Sequence, residues 1–238
     1  MSRHLTINCD LGEGMENEEQ LLDYIDKASI ACGGHFGDKN SILHSLRLAQ
    51  SKNVACGIHP SYPDKDNFGR KPVQIPLPKL KDSLCFQLEL FLESSQKLSI
   101  EIDHVKAHGA LYNVLMEDLF QAEILLKSME KLGVKCPVFA LYGSTFHKMY
   151  ADHFPLLIEG FIDRKYTNQL RLASRAIGGA LITEPIKATQ QFKAFKENSD
   201  FETIDGKWIK IDIDTACIHG DNPAALTILQ SIKEAELC

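Results

Sequence analysis

The sequence predicts an α/β protein, an irregular (β/α) barrel of about seven parallel strands with a small β-hairpin excursion near residues 201–211. Three observations carry that expectation. Short apolar runs bounded by turn residues alternate with segments of helical period, the pattern of parallel strands joined by crossover helices. Several of the runs end on a histidine beside glycine or proline, and the first ends on a carboxylate, so buried strands would gather titratable groups on one rim. These groups come from both the first and the last run, and closing the sheet brings those strands together where an open sheet would separate them.

In chain order, the runs place strands over residues 6–10, 28–32, 54–59, 103–107, 138–142, 156–161 and 215–219. After the second strand, Ile42, Leu43, Leu46 and Ala49 share one helical face, which predicts a helix over 41–51. Leu80, Leu84, Leu88, Phe91 and Leu92 recur at steps of three and four within 77–98, with Pro76 and Pro78 near the start, where proline is tolerated. Further helices are expected over 117–132, 144–150, 185–197 and 223–236. Between the last two, Asp205-Gly206 separates two alternating stretches and reads as a two-residue hairpin turn.

At 238 residues and 44% hydrophobic content the chain can bury a large core, and no linker or run of like charge divides it, so one domain over 1–238 is expected. A net charge of -6 argues against nucleic acid as a partner and leaves small molecules. The start lacks the apolar segment of a signal peptide and no stretch of 18 apolar residues occurs, so a cytoplasmic protein without a membrane partner is expected. The cysteines, 7 in all, contain no C-x-x-C pair. A structural zinc site of that type is therefore not expected, and Cys9, Cys32, Cys56 and Cys217 read as small buried hydrophobes.

The candidate site residues follow from the strand ends. Asp10 opens Asp-Leu-Gly-Glu13-Gly, and two carboxylates brought close can divide into one ionised and one protonated, or share a cation. His35 and His59 end the next two runs; with Asp10 they make either a divalent-metal set or a base with its orienting groups. The densest run carries Lys106 and His108 and continues to Tyr112 and Asn113. Strand alternation puts His104, Lys106 and His108 on one side, so an inward Lys106 is expected to be desolvated and its pKa pushed down. Arg70, Arg164 and Arg175 offer guanidinium forks for an anionic small molecule. Asp221, two residues after His219, reads as a helix cap, an orienting group for that histidine, or both. No P-loop, dinucleotide fingerprint, Gly-x-Ser-x-Gly or His-Glu-x-x-His motif occurs.

Taken in order, Ile7-Asn-Cys-Asp-Leu-Gly-Glu-Gly14, the Cys-Gly-x-His35-x-Gly-Asp38 segment, Gly57-x-His-Pro-Ser-Tyr-Pro-Asp64, Phe68-Gly-Arg70, His104-Val-Lys-x-His-Gly-Ala-Leu-Tyr-Asn113, Glu159-x-Phe-x-Asp-Arg-x-Tyr166 and His219-Gly-Asp-x-Pro223 resemble the LamB/YcsF family. That family contains the A subunit of bacterial 5-oxoprolinase. The resemblance spans almost the whole chain. It implies a barrel related to glycoside hydrolase/deacetylase barrels. The implied activity is ATP-dependent opening of the lactam of 5-oxo-L-proline to L-glutamate, with ATP as co-substrate and separate B and C subunits as partners.

Phosphorylating the lactam oxygen would create a leaving group on an otherwise poor electrophile. On this resemblance Asp10 and Glu13 are acid/base groups or cation ligands, His35 and His59 ligands or proton carriers, Lys106 and His108 oxyanion or phosphate stabilisers, and His219 and Asp221 a proton-relay pair. Arg70, Tyr112, Asn113 and Arg164 are expected to bind substrate, and Asp10, His35 and His59 are the candidate ligands of a divalent metal of unknown identity. Two rival readings remain open on sequence: a metal-dependent deacetylase or amide hydrolase on the same barrel, and a non-catalytic subunit that binds a small acid.

Overall fold

A computed structural model of the chain describes residues 4–237, so the first three residues of the expected N-terminal start, Cys238 and the ends of the expected 1–238 domain lie outside the described residues. Seven strands close a parallel barrel: β1 (Thr6–Leu11), β2 (Lys27–Ala31), β3 (Ala55–His59), β4 (Ile102–Val105), β5 (Val138–Leu141), β6 (Leu156–Phe161) and β9 (Thr215–His219). The last strand lies between β6 and β1, pairing Glu159 with Thr215 on one side and Asp10 with His219 on the other. The closure expected from the strand-end residues is what seats them side by side. The barrel is irregular at β3–β4, where the register shifts between Cys56 and Ile58.

The crossovers carry α1 (Glu18–Leu21), α2 (Lys39–Ser51), α3 (Leu77–Leu98), α4 (Gly109–Leu115), α5 (Leu119–Lys131), α6 (Thr145–Tyr150), α7 (Pro185–Lys196) and α8 (Ala225–Leu237). The stripes read from the sequence are the buried faces: Ile42, Leu43, Leu46 and Ala49 on α2, and Leu80, Leu84, Leu88 and Phe91 on α3. Asp38 caps α2 through the amides of Asn40 and Ser41 while the Ser41 hydroxyl accepts from the Asp38 amide, a reciprocal capping box. Helix α4 is additional to the expected elements. It starts directly after His108, where the sequence reads as a strand running on to 107.

The excursion near 201–211 is present as β7 (Phe201–Glu202) paired antiparallel with β8 (Trp208–Ile209). Its turn differs from the two-residue form expected. The Thr203 amide donates to the Lys207 carbonyl at 2.7 Å and the Gly206 amide to the Thr203 carbonyl at 3.1 Å, which makes a three-residue loop. Gly206, at φ 71, supplies the left-handed residue that closes such a loop. No helix among the described residues is long and apolar enough to cross a membrane. Cys9, Cys32, Cys56, Cys85, Cys136 and Cys217 are buried free thiols.

Strand alternation splits the barrel residues into two sets. Ile7, Ala28, Ile30, Cys56, Ile58, Val105, Val138, Ala140, Ala216 and Ile218 belong to the hydrophobic core under the helices. The opposite set fills the interior and mixes aromatic residues such as Phe139 and Phe161 with many polar ones, where such barrels ordinarily hold branched aliphatic side chains. At its floor, His104 binds Ser29 Oγ and Asp103 Oδ2, both at 2.9 Å, and stacks on Phe139 at 4.2 Å. Burial drives the His104 imidazole down to about 4, so it is neutral and its Nδ1–H donates to Asp103. The ring occupies the space beside Gly57 on β3, and a Cβ there would overlap the imidazole. Gly57→Ala is therefore expected to overpack the floor and cost about 1–3 kcal/mol, measured as a lowered denaturant midpoint against the unsubstituted chain.

Candidate active site

Above this floor lies Lys106, fully buried, just past the end of β4. Its Nζ is ion-paired with Asp10 Oδ1 at 2.7 Å and Glu159 Oε1 at 2.8 Å, and it donates to Asn8 Oδ1 at 3.2 Å and Cys217 Sγ at 3.1 Å. Burial alone would pull the amine down, as expected from sequence. Here Asp10 and Glu159 outweigh it, and the pKa lies above the ordinary lysine value, correcting that expectation. The two carboxylates divide. Burial pushes both up, but His59 and Lys106 bring Asp10 well below the usual range, whereas Glu159 stays above it because Lys106 does not offset burial and the neighbouring Asp10 charge.

The turn after β1 places the second acidic residue. Gly12 at φ 72 and Gly14 at φ 82 adopt left-handed conformations, and the Glu18 carboxylate accepts the amides of Gly12, Glu13, Gly14 and Met15. Glu13 is thereby turned inward. Its Oε1 lies 2.9 Å from His35 Nε2, 3.2 Å from His108 Nδ1 and 3.8 Å from His59 Nε2. His35 and His108 stack with ring centroids 3.7 Å apart, and His59 meets both edge-on. Burial lowers His35 to about 4 against the pull of Glu13, and lowers His108 in the same way. His59 departs upward, because Asp10 and then Glu13 overcome its burial.

On the opposite side, His219 Nδ1 is 2.9 Å from Asp163 Oδ1, and its own amide donates to Asp163 Oδ2 at 3.1 Å. The Asn222 side chain donates to the same carboxylate, which His219 and these hydrogen bonds hold low despite burial. Side-chain atoms of Asp10, Cys217 and His219 come within 4.8 Å of one another. Between these groups opens a cavity of about 450 Å³ whose wall includes Asp10, Lys106, Phe161, Arg164, Arg175 and His219. At its mouth Asp221 pairs with Arg70 and, at 3.3 Å, with Arg175. Arg164 is buried, donates to the Ala173 carbonyl at 2.6 Å and leaves its Nε without a partner.

The fold thus gathers Asp10, Glu13, His35, His59, Lys106, His108 and His219 in one region, and Arg70, Tyr112, Asn113 and Arg164 all line the cavity. Two expected groupings change. Asp221 does not orient His219: Asp163 does, while Asp221 turns outward to two arginines. The metal-type cluster is Glu13, His35, His59 and His108 rather than Asp10, His35 and His59, because the glycine turn brings Glu13 to the histidines while Lys106 holds one oxygen of Asp10. Asp10 remains at its edge, 3.4 Å from His59 Nε2.

A family comparison decides the affiliation, with the model of the LamB/YcsF family matching residues 5–236. The chain belongs to the LamB/YcsF family. Among curated relatives, the third 5-oxoprolinase A subunit of Pseudomonas syringae pv. tomato is 33% identical over 97% of this chain and 93% of that protein. The 5-oxoprolinase A subunit of Erwinia tasmaniensis is 32% identical over 96% and 94%. The crystal structure of a lactam utilization protein from Thermus thermophilus superposes with a TM-score of 0.90 at 25% identity, covering 98% of both chains.

Three polar residues of this LamB/YcsF site, Asn8, Glu159 and Asp163, stand within the family motifs but receive no role from the sequence. Glu159 sits inside an apolar strand, where a lone carboxylate with no nearby cation is itself the available signal. Asp163 reads only as the neighbour of Arg164, and Asn8 lies within the first apolar run. Because Lys106 compensates two buried carboxylates, Lys106→Met is expected to destabilise the protein by about 3–5 kcal/mol. Adding Glu159→Gln to that variant should recover part of the loss, and chemical denaturation of both variants measures the difference.

Proposed function

We propose that this chain is a subunit of an ATP-dependent 5-oxoprolinase that opens the lactam of 5-oxo-L-proline to L-glutamate, working with partner subunits. The carrying observation is that Asp10 and His219 face one cavity from paired positions on adjacent strands, with guanidinium groups at its mouth. The names of the relatives, which designate an A subunit of that enzyme, and the lactam utilization protein of the same fold point the same way. They favour this reading over a deacetylase or a non-catalytic binding subunit.

The reaction asks for one water that adds to the phosphorylated ring carbon, a proton for the departing ring nitrogen, a second water that releases phosphate from the resulting acyl phosphate, and a place for negative charge. Asp10, kept ionised by His59 and Lys106, is placed to accept a hydrogen bond from the attacking water and orient it. His219, its Nδ1 tied to Asp163, presents its other nitrogen as the group that returns a proton to the ring nitrogen. Lys106 is ion-paired with Asp10 and Glu159 and donates to Asn8 and Cys217, so it holds Asp10 in place rather than offering a free donor. Arg70, Arg164 and Arg175 suit the substrate carboxylate and the phosphate generated when ATP activates the lactam oxygen. Since the sequence has no standard nucleotide cradle, we assign the ATP-binding surface to the assembly with the B and C subunits.

A glutamate-release assay on 5-oxoproline tests this reading. Release is expected with ATP and the partner subunits together, and ATP-independent release by the isolated chain would overturn it. Asp163→Asn should lower kcat by about 10²–10⁴-fold with KM little changed, since the proton-transfer group loses its orienting charge. Arg175→Ala should instead raise KM, by about 10-fold or more for loss of a charge-assisted contact, in the same assay over a substrate range.

A further inference from the structure

Beside the cavity, the side chains of Glu13, His35, His59 and His108 meet with an excess of lone pairs. His59 Nδ1 lies 2.7 Å from the Lys106 carbonyl and His108 Nε2 lies 3.0 Å from the Phe68 carbonyl. A carbonyl only accepts, so each of these nitrogens carries the ring proton. With one proton per ring the remaining nitrogens, His59 Nε2 and His108 Nδ1, are bare acceptors 2.9 Å apart, and a second proton on His59 would satisfy that contact alone. Glu13 Oε1 adds a third acceptor 3.2 Å from His108 Nδ1, and His35 Nε2 lies 2.9 Å from that oxygen. All four side chains are buried.

We infer that Glu13, His35, His59 and His108 form a four-donor site for one divalent transition-metal ion of the zinc type. Metal–nitrogen bonds of about 2.0–2.1 Å in a tetrahedron put neighbouring donors about 3.3 Å apart. The separations among the Glu13, His59 and His108 donors, 2.9, 3.2 and 3.8 Å, bracket that value, and all four donors lie within 4.8 Å of one another. Three imidazoles and one carboxylate select zinc-type ions over magnesium or calcium, which take oxygen donors. The backbone carbonyls on His59 and His108 are the outer partners that fix the tautomer of a metal-binding histidine. Glu13 supplies one negative charge to a dication, and Asp10 stands at the edge of the cluster, 3.4 Å from His59 Nε2.

The inference stands apart from the lactam reading, since its test reads metal content and not turnover. Tag-free protein is dialysed without chelator and its metal measured by mass spectrometry; the apo-protein is then titrated with Zn²⁺ and Co²⁺. About one equivalent bound per chain, visible Co²⁺ absorption typical of four-coordinate nitrogen and oxygen donors, and a raised Tm with Zn²⁺ are expected. Glu13→Gln and His108→Ala, checked for folding by circular dichroism, should each weaken Zn²⁺ binding at least about tenfold. Absence of Co²⁺ absorption and of any Zn²⁺-dependent Tm shift in the unsubstituted chain overturns the site, as does binding that is unchanged in both folded variants.

Discussion

The buried Lys106 ammonium is the constraint on which the rest of the site depends. A lysine in a barrel interior is tolerable only when its charge is matched and each hydrogen accepted. Asp10 on β1 and Glu159 on β6 match the charge, while Asn8 and, from β9 between those strands, Cys217 accept hydrogen bonds. The arrangement gives the barrel an interior rich in polar groups, with Phe139 and Phe161 among them. Such an ion cluster is weak support for stability, but removing one member leaves others buried and uncompensated. The interior is therefore organised for charge placement.

That placement separates two regions that share Asp10. One oxygen of Asp10 is held by Lys106 and the other points toward His59 and, behind it, the Glu13–histidine cluster. Across the cavity, Asp163 anchors His219 through both its ring and its amide. The arginines at the mouth form a third layer in which Asp221 occupies the position suited to an incoming anion. Floor, acid–base pair and entrance are thus stacked along the barrel axis. Each layer takes residues from strands distant in sequence.

Much of the scaffold is legible in the sequence because its signals are local. Turn-bounded apolar runs mark the strands, and the predicted span of 77–98 coincides with α3 because its stripe and its prolines act within a few residues. The short α4 is hidden by a run that continues in strand-like fashion past Val105, and the hairpin loop differs by one residue because Asp-Gly serves more than one turn geometry. The gathering of histidines is legible too, since strand ends in a closed parallel barrel share a rim. Partner assignments are less so: proximity in sequence links His219 to Asp221, while the fold brings Asp163, just past β6, to the imidazole and sends Asp221 to Arg70 and Arg175.

By itself the sequence determined the alternation of strands and helices, the affiliation, and which titratable residues stand at strand ends, because periodicity and motif order are properties of the linear chain. Tertiary structure decided who pairs with whom. Closure of β9 against β1 sets Asp10 beside His219, and the left-handed turn at Gly12 brings Glu13 to His35 and His108. The direction of the Lys106 shift was likewise beyond the sequence: burial and two neighbouring carboxylates act in opposite senses, and their balance depends on distances that exist only once the barrel has closed.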